Sequence, residues 1–123
     1  MDELVAMRIL LFVVMLGSGV LLVHVAHATA SGRLGRNQLA GIRNPSTLAS
    51  DDAWLAAHVR AERPTALAGY TSMATAVFAL FQVSPAFLAG GALLGCLAMI
   101  GCVLHGARAG TKSAMEVAER PAD

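Results

Sequence analysis

The sequence predicts an all-α membrane protein, with three transmembrane helices and a short interfacial helix in the first cytoplasmic loop. Three observations predict it. The 123-residue chain is 56% hydrophobic and only 14% charged, with a mean hydropathy of +0.63, whereas a soluble domain carries about 25% charged residues. Its apolar residues gather in blocks long enough to cross a bilayer instead of being spread at core spacing. Between the blocks lies one polar island, from Asn37 to His58. The net charge of +1 offers no dense basic face, so nucleic acid is not an expected partner.

The first span covers residues 9–30, which hold no formally charged side chain over 22 positions. At 1.5 Å per residue they reach about 33 Å, enough for a hydrocarbon core of about 30 Å. Ala28-Thr29-Ala30 resembles a signal-peptide cleavage site, but an acidic start at Asp2-Glu3 and a long apolar run favour a retained span. The second span covers about 65–82 and is softened by Thr71, Ser72 and Thr75. The third covers 86–107, again without formal charge, and Pro85 suits its first turn. Residues 1–110 thus form one transmembrane domain, and 111–123 read as a short, solvated cytoplasmic tail. Cys96 and Cys102 are six apart, about 9 Å along one helix and on different faces, which excludes a disulfide between them within a straight helix.

Lys and Arg placement sets the orientation. Arg33, Arg36, Arg43, Arg60 and Arg63 follow the first span, and Arg108, Lys112 and Arg120 follow the third; Arg8 stands alone on the other side. This bias puts the first loop and the carboxyl end in the cytoplasm and the amino end outside. Small residues at four-residue spacing, Ala98, Cys102, Gly106 and Gly110 in span three and Ala68, Ser72 and Ala76 in span two, allow close helix approach. Their first use is packing within one subunit, and a homo-oligomer face is the alternative.

The loop, residues 31–63, carries the specific chemistry. Ser31-Gly32 and Gly35 end the first helix, and Asn44-Pro45-Ser46-Thr47 has the composition of a type I turn. Ser50 followed by Asp51 and Asp52 is a helix start, where a hydroxyl can accept from an early amide and acids favour the positive end of the dipole. Ser50, Trp54 and His58 then form one stripe. Pro64 marks a turn or kink between this interfacial helix and the second span. Taken singly, Trp54 could be an interface anchor, Arg43 a lipid-phosphate contact and Gly41 a turn residue.

Taken together, Asn37, Gly41, Ile42, Arg43, Thr47, Ser50, Trp54 and His58 spell N-x-x-x-G-I-R-x-x-x-T-x-x-S-x-x-x-W-x-x-x-H. This spacing resembles the signature of the SdpI family, small bacterial integral membrane proteins named after an immunity protein against a secreted killing peptide. The resemblance bears on about the first two thirds of the chain, with span three fitting only by being apolar. It implies residence in the bacterial inner membrane and a role in binding, signalling or immunity. In the founding member, protection is combined with membrane capture of a transcriptional repressor; that protein is longer, with more spans. On this reading Arg43 contacts a phosphate, a carboxylate or a partner's carbonyls. Trp54 and His58 present a face, and Asn37, Thr47 and Ser50 shape the loop. The expected partners are membrane lipids and a membrane protein, regulatory protein or peptide.

Other chemistry is not expected. His24, His27, His58 and His105 are the candidates for a metal or haem, but no Asp, Glu or Cys at suitable spacing accompanies them. No cofactor is therefore expected. Ser50 and His58 lie about 12 Å apart along a helix, too far for a nucleophile and its base. No phosphate-binding glycine loop is present, so the chain is read as a non-enzyme. The alternative reading is a small accessory subunit of a larger membrane enzyme or transport complex.

Overall fold

A computed structural model describes residues 2–120. Among them there are three long helices, α1 (Glu3–Ala30), α2 (Asp51–Phe78) and α3 (Pro85–Glu119), with one 3₁₀ turn at Thr47–Ala49 and no strand. Each start is capped as local chemistry requires. Asp2 accepts from the Leu4 amide at 2.7 Å, Ser50 from Ala53 at 3.0 Å and Ser84 from Phe87 at 3.3 Å, with Pro85 in the first turn of α3. The helices run up, down and up, and α2 packs against both of the others.

Bare backbone allows these helices to meet closely. A Cβ on Gly19 would lie 2.5 Å from the Gly69 carbonyl oxygen, and one on Gly69 would lie 2.7 Å from that of Gly19, so α1 and α2 touch main chain to main chain. Ser72 adds a buried hydrogen bond across the same pair, donating to the Met15 carbonyl at 2.7 Å. Between α2 and α3, Gly110 faces the Ala57 carbonyl and Gly106 faces Pro64. Ala53, Ala57 and Ala114 continue this contact as a fully buried cluster.

Two helices, α1 and α3, are long and apolar enough to cross a membrane. α2 is more polar: its first half carries exposed Asp51, Asp52, Arg60 and Arg63, and its second half carries Thr71, Ser72 and Thr75. Thr71 and Thr75 return their hydroxyl protons to the carbonyls four residues back, at 2.8 and 2.9 Å, which satisfies them without water.

Three boundaries differ from the expectation. The segments expected as an interfacial helix and a second span form one helix, which runs through Pro64 without a break. Proline costs an interior helix one hydrogen bond and a steric clash. Here α2 is held from both flanks, and the ring itself packs at Gly106. α2 also ends at Phe78, short of Gln82, and the chain turns over residues 79–84. Finally, residues 111–119 are not a tail separate from the third helix. They extend α3 to 35 residues, about 52 Å, because Gly110 and Ala114 continue the seam with Ala57 and Ala53 beyond the apolar block.

Candidate functional site: the loop between the first two helices

The loop begins where Ser31 and the left-handed Gly32 (φ +82°) stop α1. Its first half is stapled by Asn37. The side-chain oxygen accepts from the amides of Leu39 and Ala40, both at 2.8 Å, and the amide group donates to the carbonyls of Gly35 and Ala40. All hydrogen-bonding capacity of this side chain is thereby spent on one tight turn.

The second half is held by Thr47 and Asn44. Thr47 is fully buried, donates to the Ile42 carbonyl at 2.7 Å and accepts from the Asn44 amide at 3.0 Å. The Asn44 side-chain oxygen accepts from the Thr47 amide at 3.0 Å, closing the turn expected at Asn44–Thr47. Its amide group also donates to Thr111 Oγ1 at 2.9 Å, which ties the loop to α3.

Between these halves the chain passes over Trp54 and His58 at Gly41, whose φ of +106° favours glycine. A Cβ there would lie 2.7 Å from the indole and 2.8 Å from His58 Nε2. This close pass lets the Ile42 N–H donate to His58 Nε2 at 2.8 Å. His58 Nδ1 then carries the proton and donates to the Trp54 carbonyl at 2.7 Å, which sets the neutral tautomer. The two rings lie 4.1 Å apart, and Trp54 Nε1 donates to the Leu34 carbonyl at 3.0 Å. His58 lies on the loop side of the predicted second span. Burial holds its pKa below the ordinary histidine value, and the bond to the Trp54 carbonyl partly offsets this.

The stripe Ser50, Trp54, His58 therefore does not present an outward face. Trp54 is 2% and His58 4% exposed, because each polar ring atom finds a main-chain partner in the folded-back loop. Ser50 is the α2 cap. Among the eight signature residues Arg43 alone extends its side chain into solvent, with one N–H donating to the Gln38 carbonyl at 2.6 Å. Leu39, which follows Gln38 in the chain, is 90% exposed.

Of the remaining histidines, His24 and His105 are exposed, and His27 Nδ1 lies 3.1 Å from Glu62 Oε2 in an exposed pair. Among the described residues no three His, Cys, Asp or Glu side chains come together, and both nitrogens of His58 are already engaged.

Reading by spacing missed several contributors. Arg36 bonds to Asp51 at 2.8 Å and to the Leu48 carbonyl at 3.1 Å, strapping the loop to the start of α2. Leu39 carried no signal beyond an apolar residue in a polar stretch. At the other end of the bundle Arg8 donates to the carbonyls of Phe81 and Val83, both at 2.5 Å, and closes the turn between α2 and α3. Thr111 as an Asn44 partner could not be read locally.

Comparison with known proteins matches residues 33–105 to the model of the SdpI/YfhL protein family. No curated protein and no solved structure matches the chain. The matched segment starts in the loop and includes all of α2 and α3 as far as His105, so the third helix is part of the likeness and α1 is not. With the family model covering more than half of its length, and with two helices apolar and long enough to cross a bilayer, this chain is a membrane protein that belongs to the SdpI/YfhL family.

Proposed function

We propose that the chain is a non-enzymatic, SdpI-like binding or signalling module of the bacterial inner membrane, of the immunity type, which acts through its first loop. All three helices cross the bilayer in this reading, with the amino end outside and the loop and carboxyl end in the cytoplasm. The eight-against-one distribution of basic residues supports that orientation.

One observation carries the proposal. Asn37, Gly41, Thr47, Ser50, Trp54 and His58 are consumed in building a fixed loop, and that loop holds Arg43 and Leu39 outward at its surface. A guanidinium and an exposed apolar side chain on a hydrogen-bonded loop backbone suit a carboxylate or carbonyl cluster next to an apolar contact on a regulatory protein, a membrane protein or a peptide. The test is a photoreactive amino acid at position 39, irradiated in native membranes. A discrete adduct that disappears with Arg43→Ala is the expected result. No adduct, with the protein present and folded, would remove the platform.

The accessory-subunit reading draws on a different feature. An apolar cavity of about 410 Å³ opens between α1 and α3, lined by Leu4, Met7, Val14, Leu88 and Ala92 among others. A transmembrane helix of a larger partner would fill it. Gentle solubilisation and purification would then yield a stoichiometric large partner, whereas the module reading expects a free monomer or dimer.

A further inference from the structure

At Ile42 the signature loop is held to α2 by one imidazole. His58 Nε2 accepts the Ile42 N–H, and Nδ1 donates to the Trp54 carbonyl. Nε2 is an acceptor only while it lacks a proton. A proton on it would set an N–H against the Ile42 N–H at a separation of 2.8 Å, turning an attraction into a clash of two donors.

The surroundings offer that added charge little relief. His58 lines a cavity of about 140 Å³ shared by α1, α2, α3 and the loop. On its own helix Glu62 lines the same cavity, but its carboxylate is paired with His27 of α1. α3 contributes uncharged Val103 there, and the loop contributes Gly41 and Ile42. The loop cation next to Ile42 in the chain, Arg43, is exposed and donates to the Gln38 carbonyl.

We propose that His58 is a proton-operated latch for the signature loop: protonation of Nε2 releases Ile42 and frees the Gly41–Thr47 segment from α2. This names a regulation of the loop platform proposed above, and it rests on that reading only for the consequence to a partner.

The sign follows from linkage. The latched state holds the His58 pKa below the ordinary value, so the released state binds a proton at higher pH than the latched one does. The latch is at full strength above about pH 6.5, the value for a free histidine. It weakens as pH falls through that value towards the lowered pKa, by up to about tenfold per pH unit. Below both values it weakens no further.

Trp54 is the only tryptophan and stacks on this ring, so the chain carries its own reporter. The experiment uses the full chain in phosphatidylcholine nanodiscs. Trp54 emission and hydrogen exchange at the Ile42 amide are followed between about pH 8 and pH 5, on either side of the ordinary histidine value. The expected result is a one-proton change in emission with its midpoint below about pH 6.5. Ile42 protection, corrected for intrinsic exchange, falls with it. His58→Gln offers an acceptor that does not titrate, and the transition vanishes. His27→Gln keeps it.

A flat wild-type response would overturn the latch. So would a transition that survives in His58→Gln or is lost only in His27→Gln. Should His58→Gln fail to fold, the wild-type Ile42 exchange decides alone, and pH-independent protection overturns the proposal. Failure of the platform reading is separate: it removes the adduct at position 39 and leaves the Trp54 transition intact.

Discussion

The two ends of this bundle solve the same problem with different chemistry. Where α2 turns into α3, unpaired carbonyls are satisfied by Arg8, a long charged donor reaching from α1. Where α1 turns into α2, unpaired main-chain groups are satisfied by Trp54 and His58, two buried neutral rings. A guanidinium is always charged and its stem is flexible, so the Arg8 end tolerates small changes in shape and pH. The ring pair tolerates neither. The indole fills fixed space under Gly41, and the imidazole must accept on one nitrogen while it donates on the other. The sensitive end is also the one that carries the family signature.

Substitutions should separate the two ends by size of effect. Trp54→Ala should cost most, about 3–5 kcal/mol, because it leaves a cavity under the loop and an unpaired Leu34 carbonyl. Denaturant titration in mild detergent, followed by far-ultraviolet circular dichroism, measures it. A loss under about 1 kcal/mol would mean that the loop does not depend on this ring. Gly41→Ala comes next, at about 1–3 kcal/mol, since its Cβ meets the indole and His58 in a backbone conformation that suits glycine. The same titration with Trp54 emission reads it, and an unshifted midpoint would place the loop away from the rings.

At the other end Arg8→Met should cost about 1–2 kcal/mol. Its hydrogen bonds are charge-assisted, but partial exposure lets water replace them. A cost equal to that of Trp54→Ala would erase the contrast between the ends. Ser72→Ala, midway along the bundle, should cost about 0.6 kcal/mol, the mean for hydrogen bonds between membrane helices. Arg43→Ala should leave stability within about 0.5 kcal/mol of the parent, and it should abolish the crosslink at position 39. A large loss of stability would recast Arg43 as a structural strap like Arg36.

Much of the architecture was legible because its causes are local. The apolar blocks, the Ser50 and Pro85 helix starts and the turn at Asn44–Thr47 each depend on neighbours within a few residues. The signature was legible for the same reason: its residue types recur at fixed spacing between two spans. Which way the signature points was not. A stripe at positions 50, 54 and 58 can face water, lipid or protein, and the spacing is identical in all three cases. The loop folded back over it because indole and imidazole nitrogens found main-chain partners 20 and 16 residues away.

By itself the sequence determined the solvent of this chain, the approximate position of its helices and the family signature between them. These follow from composition, apolar run length and capping chemistry. Only the tertiary structure decided that α2 passes through Pro64 unbroken, that α3 carries on to Glu119, that Arg8 closes the far turn and that Trp54 and His58 point inward. Each of those outcomes depends on contacts between segments far apart in the chain, such as Asn44 with Thr111 and Arg8 with Phe81. Such contacts exist only once three helices lie side by side and their unpaired polar groups must find one another instead of water.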